Sequence, residues 1–115
     1  MENKIYTFEE IKEITKSIFE KYNVKKAYLF GSYAREEAKI DSDVDIMIVK
    51  EDSNITTLLN LAEFEIALQE ALKKKVDVVI EETYTQEIMY ENQYGKLAKE
   101  LFYKQVQRDR RLLYD

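Results

Sequence analysis

The pair Gly31-Ser32, followed after ten residues by Asp43-Val44-Asp45, constrains this chain more than any other feature. Val44, Ile46 and Ile48 alternate with Asp43, Asp45 and Met47, the period of a strand. Residues i and i+2 of a strand share a face, so Asp43 and Asp45 present two carboxylates on one side. Adjacent like charges are unfavourable without a cation between them, and an all-oxygen donor set selects a hard ion such as Mg²⁺. Upstream, Ala27-Tyr28-Leu29-Phe30 is a strand that runs into the Gly31-Ser32 turn and a helix-like stretch at Tyr33–Ala38. Backbone N–H groups gather where a strand turns into a helix, and that geometry accepts phosphate. A phosphate cradle beside metal carboxylates is the layout of a nucleotide-handling site.

The rest of the chain narrows the chemistry. It has no Cys and no His, which removes disulfides, thiolate nucleophiles, Ser-His catalysis and imidazole ligands. What remains is carboxylates, Lys, Arg, Tyr, Ser, Thr and a bound ion. Only two glycines are present, Gly31 and Gly95, and no Pro. No stretch reads as a linker or repeat, and the 115 residues are expected to form a single domain, 1–115. No apolar run approaches the ~20 residues of a membrane span, and the start of the chain does not read as a signal peptide, so a cytoplasmic location is expected. The net charge of −5 argues against broad nucleic-acid binding.

Coarse patterning gives an α/β order. A capping box at Thr7 and Glu10 opens a helix with Phe8, Ile11, Ile14, Ile18 and Tyr22 on one side. Strands are expected at about Val24–Phe30, Asp43–Val49 and Val76–Ile80. Asp52-Ser53-Asn54 reads as a loop and N-cap region. A long helix follows, marked by Leu58, Leu61, Phe64, Leu68, Ala71 and Leu72 and ending in Lys73-Lys74-Lys75, which complements its C-terminus. Another helix begins near Thr85, with Ile88, Tyr94, Leu97, Leu101 and Phe102 on its apolar side. Arg111–Tyr114 is ambiguous locally. Strand, helix Leu58–Leu72 and strand make a β-α-β unit, which implies parallel strands. If those strands are neighbours, Asp77 joins Asp43 and Asp45 at one end of the sheet. Arg35, just past the turn, is placed for a phosphate contact or an exposed ion pair. Glu36 and Glu37 read as a solvated face, Ser42 as ordering the loop before the second strand, and Tyr33 as core, rim or a flank of the nucleotide.

The string Gly31, Ser32, Ala34, Arg35, Ala38, Ser42, Asp43, Asp45 resembles the minimal nucleotidyltransferase (MNT) family of the polymerase-β-type nucleotidyltransferase superfamily. Glu36 departs from it, standing where the family often has Gly. The resemblance implies an α+β fold, a small mixed sheet with helices packed on one side, and favours an edge strand at Arg111–Tyr114. It implies AMP transfer from ATP, with Mg²⁺, as two ions, held by Asp43, Asp45 and Asp77. Asp77 is placed to help deprotonate the attacking hydroxyl, and Gly31, Ser32 and Arg35 are expected to hold phosphates. Stand-alone members resemble the antitoxin of MNT/HEPN pairs of type VII-like systems, which adenylylates a Tyr of a HEPN toxin. A toxin role is excluded because its signature needs His. Two alternatives stay open: an enzyme acting on a small molecule or nucleic acid with a separate substrate-binding subunit, and an antitoxin that works by docking alone. Lys96, Lys99, Lys104, Arg108, Arg110 and Arg111 form a basic strip that reads as a solvated helix face or a partner surface.

Overall fold

Two runs of alternating apolar residues, in strands that pair in opposite senses, organise the molecule. The computed structural model describes residues 4–90 and 92–115, and the side chains of 87–90 lie outside the description. Its elements are α1 (Phe8–Lys21), β1 (Lys26–Phe30), α2 (Gly31–Ala34), β2 (Val44–Val49), α3 (Leu58–Leu72), β3 (Val76–Ile80), α4 (Glu81–Tyr90), α5 (Gln93–Asp109) and β4 (Arg111–Tyr114). The sheet has four strands in the order β3-β2-β1-β4. β2 and β3 run parallel, as the β-α-β argument requires, while β1 is antiparallel to both β2 and β4.

The principal core lies on one face of this mixed sheet. Ala27, Leu29, Val44, Ile46, Ile48, Val76 and Leu113 are buried there against Ile11 and Phe19 of α1 and Phe64, Leu68 and Leu72 of α3. Phe64 sits between Phe19 and Tyr22, with ring centroids 6.0 and 5.3 Å away. The opposite face is barer. Phe30, Met47 and Val106 are buried there with Tyr28, Val79 and Tyr103 around them. It is this second face that carries Asp45 and Asp77, one residue out of phase with the core positions on the same strands.

Local chemistry starts and stops the elements. Thr7 Oγ1 accepts from the Glu10 backbone N–H at 3.1 Å and Glu10 Oε1 accepts from the Thr7 N–H at 2.9 Å, the expected capping box. α3 begins later than the Asp52–Asn54 reading placed its cap. Thr57 is the N-cap, with Asn60 returning the bond to the Thr57 N–H at 3.2 Å. Asp52–Asn54 is instead tied to the end of α1, since the Tyr22 carbonyl accepts from the Asn54 N–H at 2.9 Å. Leu58 is 86 % exposed and does not join the core; the buried line of α3 is Phe64-Leu68-Leu72. Lys73 caps α3 in the left-handed region at φ 55°. Lys74 is buried and donates through Nζ to the Ile40 carbonyl at 2.8 Å, so it braces the loop leading into β2 rather than a helix end.

The C-terminal third departs most from the sequence reading. One helix from Thr85 was expected; α4 and α5 are separate, and Asn92 caps α5 by accepting from the Gly95 N–H at 2.9 Å. The Ile88 side chain lies outside the described residues. Tyr94, Leu97, Leu101 and Phe102 are exposed, not buried. α5 docks through a neighbouring face with polar anchors. Tyr103 donates its hydroxyl to Glu81 Oε1 at 2.7 Å, and the Arg110 guanidinium lies 3.8 Å over the Tyr28 ring and 3.3 Å from Glu81 Oε2. Arg111 stacks on Phe8 at 3.9 Å. Both arginines of the basic strip's end are therefore held by contacts within the chain.

Glu36 adopts φ 59°, a conformation that costs a side chain about 1 kcal/mol and that Gly reaches freely. Its ion pair with Arg111, at 3.8 Å and 83 % side-chain exposure, offsets little of this. Glu36→Gly is expected to stabilise the fold by about 0.5–1 kcal/mol, raising Tm by about 2–5 °C in a calorimetric scan. An unchanged or lower Tm would contradict the strain.

Candidate active site

The site is built where β1 ends and β2 begins. Antiparallel pairing sets Phe30 opposite Asp45, so the residue after Phe30 must turn directly against the Asp45 side chain. That residue is Gly31, at φ +71°. A Cβ built there would overlap Asp45 Oδ2 and lie 3.1 Å from its Cγ. Both the backbone angle and the missing side chain are needed for the approach. The single turn of α2 carries Ser32 directly behind Gly31. It closes through Arg35 N–H to the Gly31 carbonyl at 3.2 Å and Glu37 N–H to the Ser32 carbonyl at 2.9 Å. Ser42 Oγ accepts from the Lys39 N–H at 2.8 Å, the loop-ordering role expected of it.

Parallel pairing then brings in β3. Asp45 and Asp77 are direct register partners on β2 and β3, so both carboxylates leave the same face of neighbouring strands. Asp43 sits just before β2, 3.8 Å from Lys75 Nζ across the same strand pair. The three aspartates thus stand at one end of the sheet. Asp45 feels the crowding: its pKa is pushed from 3.8 up to about 6, by burial first, then by Asp77 and Asp43, with Arg35 opposing. Glu65 of α3 joins this field. Burial and then Asp77 raise its pKa, while Lys75 opposes. Nothing in the periodicity of α3 distinguishes Glu65 from its solvated acidic neighbours, so the sequence reading passed over it.

Among the described residues, no group of three or more such ligands is drawn tightly enough to hold an ion as it stands. The donor set suits a hard cation, with Asp43, Asp45 and Asp77 offering oxygen only.

On the Gly31 side of Asp45 a cleft of ≈ 460 Å³ opens between the sheet end and α5. Phe30, Gly31, Ser32, Arg35 and Asp45 form its floor, and Phe102, Gln105, Val106 and Asp109 of α5 form its wall. Arg35 Nε is 3.1 Å from Glu37, and its Nη1 is 3.9 Å from Asp109 across the cleft. The α5 wall was not foreseen, because a helix's contact with a distant strand end leaves no mark in local sequence. Tyr33 points elsewhere: it is buried in the principal core and does not line the cleft.

A family model for the nucleotidyltransferase domain matches residues 8–112. The chain belongs to that family. Within it, the chain is similar to relatives named as protein adenylyltransferases. Protein adenylyltransferase MntA of Thermococcus cleftensis is 42 % identical over 78 residues, 64 % of this chain and 77 % of the relative. A Methanocaldococcus jannaschii protein, provisionally named a protein adenylyltransferase, is 47 % identical over 77 residues, 64 % of this chain and 76 % of the relative. Among solved structures, a toxin–antitoxin complex with AMP-PNP superposes with TM-score 0.63 at 20 % identity, covering 90 % of this chain and 72 % of the other. The MNT antitoxin complex with tri-AMPylated Shewanella oneidensis HEPN toxin gives TM-score 0.59 at 18 % identity, covering 94 % and 72 %. At these identities the superpositions speak for the fold, a mixed sheet of the minimal nucleotidyltransferase kind.

Two outcomes follow from the geometry. Gly31→Ala is expected to cost about 1–3 kcal/mol and to displace Asp45; a crystal structure of the variant with Asp45 unmoved would contradict this. The raised Asp45 pKa means the folded protein binds that proton more tightly than the unfolded chain. Its stabilising effect is therefore full below about pH 4 and lost as pH rises through about 6. Without divalent cation, Asp45→Asn should match wild type in Tm at acidic pH and exceed it at pH 7. Parallel Tm–pH curves for the two would contradict it.

Proposed function

We propose that this protein transfers AMP from ATP to a hydroxyl of a partner protein, a Tyr of a HEPN-type toxin, and so acts as its antitoxin. The observation that carries the reading is the pairing of Asp45 with Asp77 in register, with Gly31 packed against Asp45. That arrangement brings the Gly31-Ser32 turn and the aspartates together at one end of the sheet. The relatives at 42–47 % identity that carry the adenylyltransferase name support the same reaction class.

In this reading the backbone of Gly31-Ser32, the Ser32 hydroxyl and Arg35 hold the β- and γ-phosphates. Arg35 exchanges its contact with Asp109 for a phosphate. Asp43, Asp45 and Asp77 would hold Mg²⁺, which when bound supplies charge neutralisation and lowers the pKa of a coordinated hydroxyl. The acceptor oxygen attacks the α-phosphorus in line; the new P–O bond forms as the bond to pyrophosphate breaks. Asp77, on the flank of Asp45 away from the cleft, takes the hydroxyl proton. A Tyr hydroxyl, with a pKa near 10, needs that help at neutral pH.

The test is the protein itself, incubated with ATP, Mg²⁺ and a HEPN-type toxin. Mass spectrometry should show the toxin heavier by whole AMP units. Asp43→Asn and Asp45→Asn should abolish transfer. Asp77→Asn should lower kcat by about 10²–10⁴ with a much smaller change in KM for ATP. An unmodified toxin, silenced equally by wild type and by the Asp43→Asn/Asp45→Asn double variant, would overturn the catalytic reading in favour of docking alone.

A further inference from the structure

The cleft beside Asp45 has two chemically distinct halves. Its floor is the phosphate end, made by Gly31, Ser32 and Arg35. Its wall is a strip of α5, where Phe102, Gln105 and Asp109 recur at i, i+3 and i+7 and so share one helix face. Phe102 is 45 % exposed. It is not loose. Phe30 meets it in a T-shaped contact with ring centroids 6.4 Å apart, and Tyr84 meets it in a tilted one at 5.9 Å. An aromatic ring fixed by two others, left partly open and directed to a cleft, is a stacking platform. Gln105, one turn further, offers an amide with both donor and acceptor, the pattern that pairs with the amino group and ring nitrogen of an adenine edge. Asp109 makes this wall a poor place for phosphates, which leaves it to the uncharged end of a nucleotide.

We propose that the α5 wall is the nucleobase subsite: Phe102 stacks on the base of the donor nucleotide and Gln105 reads its edge. This rests on the nucleotidyl-transfer reading. It assigns specificity to a helix that lies outside the Gly-Ser and Asp motif, and it orients the donor with its base toward α5 and its α-phosphate toward Asp45. The acceptor then enters from the Asp77 side.

The experiment is isothermal titration of the full chain, in Mg²⁺, with ATP, GTP and inorganic tripolyphosphate, which has the phosphates but no base. Phe102→Ala should weaken ATP at least about fivefold and leave tripolyphosphate unchanged. Phe102→Tyr, which keeps the ring, should restore ATP binding. Gln105→Ala should lower the preference for ATP over GTP. Unchanged ATP affinity in Phe102→Ala, or an equal loss for ATP and tripolyphosphate, would overturn the stacking role. An unchanged ATP-to-GTP ratio in Gln105→Ala would overturn its reading role. Failure of the wild type to bind either ligand would instead sink the nucleotidyl-transfer reading, and the base subsite with it.

Discussion

The interaction on which the structure turns is the close approach of Gly31 to the Asp45 carboxylate. It joins backbone and charge in one contact. The Phe30–Asp45 register puts the turn there, and only a residue without a Cβ, at positive φ, can occupy the position. The same contact takes water from Asp45 and leaves it facing Asp77 and Asp43, so the carboxylate is held in a field that disfavours its charge. A fold does not need this; burying Val44, Ile46 and Ile48 would stabilise β2 equally well with a neutral residue at 45. The carboxylates are a local cost met by the apolar face of the same strands, which is the usual balance at a functional site.

That division between faces explains the architecture. α1 and α3 cover one face with aliphatic and aromatic side chains and give the sheet its stability. The other face is left open enough at one end for chemistry, with α5 laid along its rim. α5 is not fastened there by a broad apolar stripe. Its docking relies on Val106, the Tyr103–Glu81 hydrogen bond and Arg110 stacked between Tyr28 and Glu81. Such contacts have preferred geometry, and they set the position of the cleft wall. Meanwhile the helix's apolar stripe of Tyr94, Leu97 and Leu101 faces outward.

Much of this was legible in the sequence where the signal is local or topological. Alternation defined β2 and β3, helical spacing and a lysine run delimited α3 at its observed bounds, and the β-α-β unit predicted the parallel pair that unites Asp45 with Asp77. The edge strand Arg111–Tyr114, favoured by the family resemblance, pairs with β1. What was illegible is tertiary. An apolar stripe on α5 looks the same whether it faces the core or solvent, and the polar docking face beside it carries no periodic mark. Lys74 belongs to a run of three lysines, and only the position of the Ile40 carbonyl separates it from its neighbours. Thr57 and Asn60 form a capping box in which Asn replaces the usual Glu or Gln, which hid the N-cap of α3.

The proposed reaction requires Asp43, Asp45 and Asp77 to act as one cation site beside the Gly31-Ser32 turn. Anomalous diffraction from crystals grown with Mn²⁺ and a non-hydrolysable ATP analogue tests it most directly. The expected result is an anomalous peak within about 2.5 Å of carboxylate oxygens of both Asp43 and Asp45, bridging to the analogue's phosphates, with Asp77 drawn toward it. A nucleotide bound at Gly31-Ser32 with the metal on its phosphates alone, touching none of the three aspartates, would contradict it.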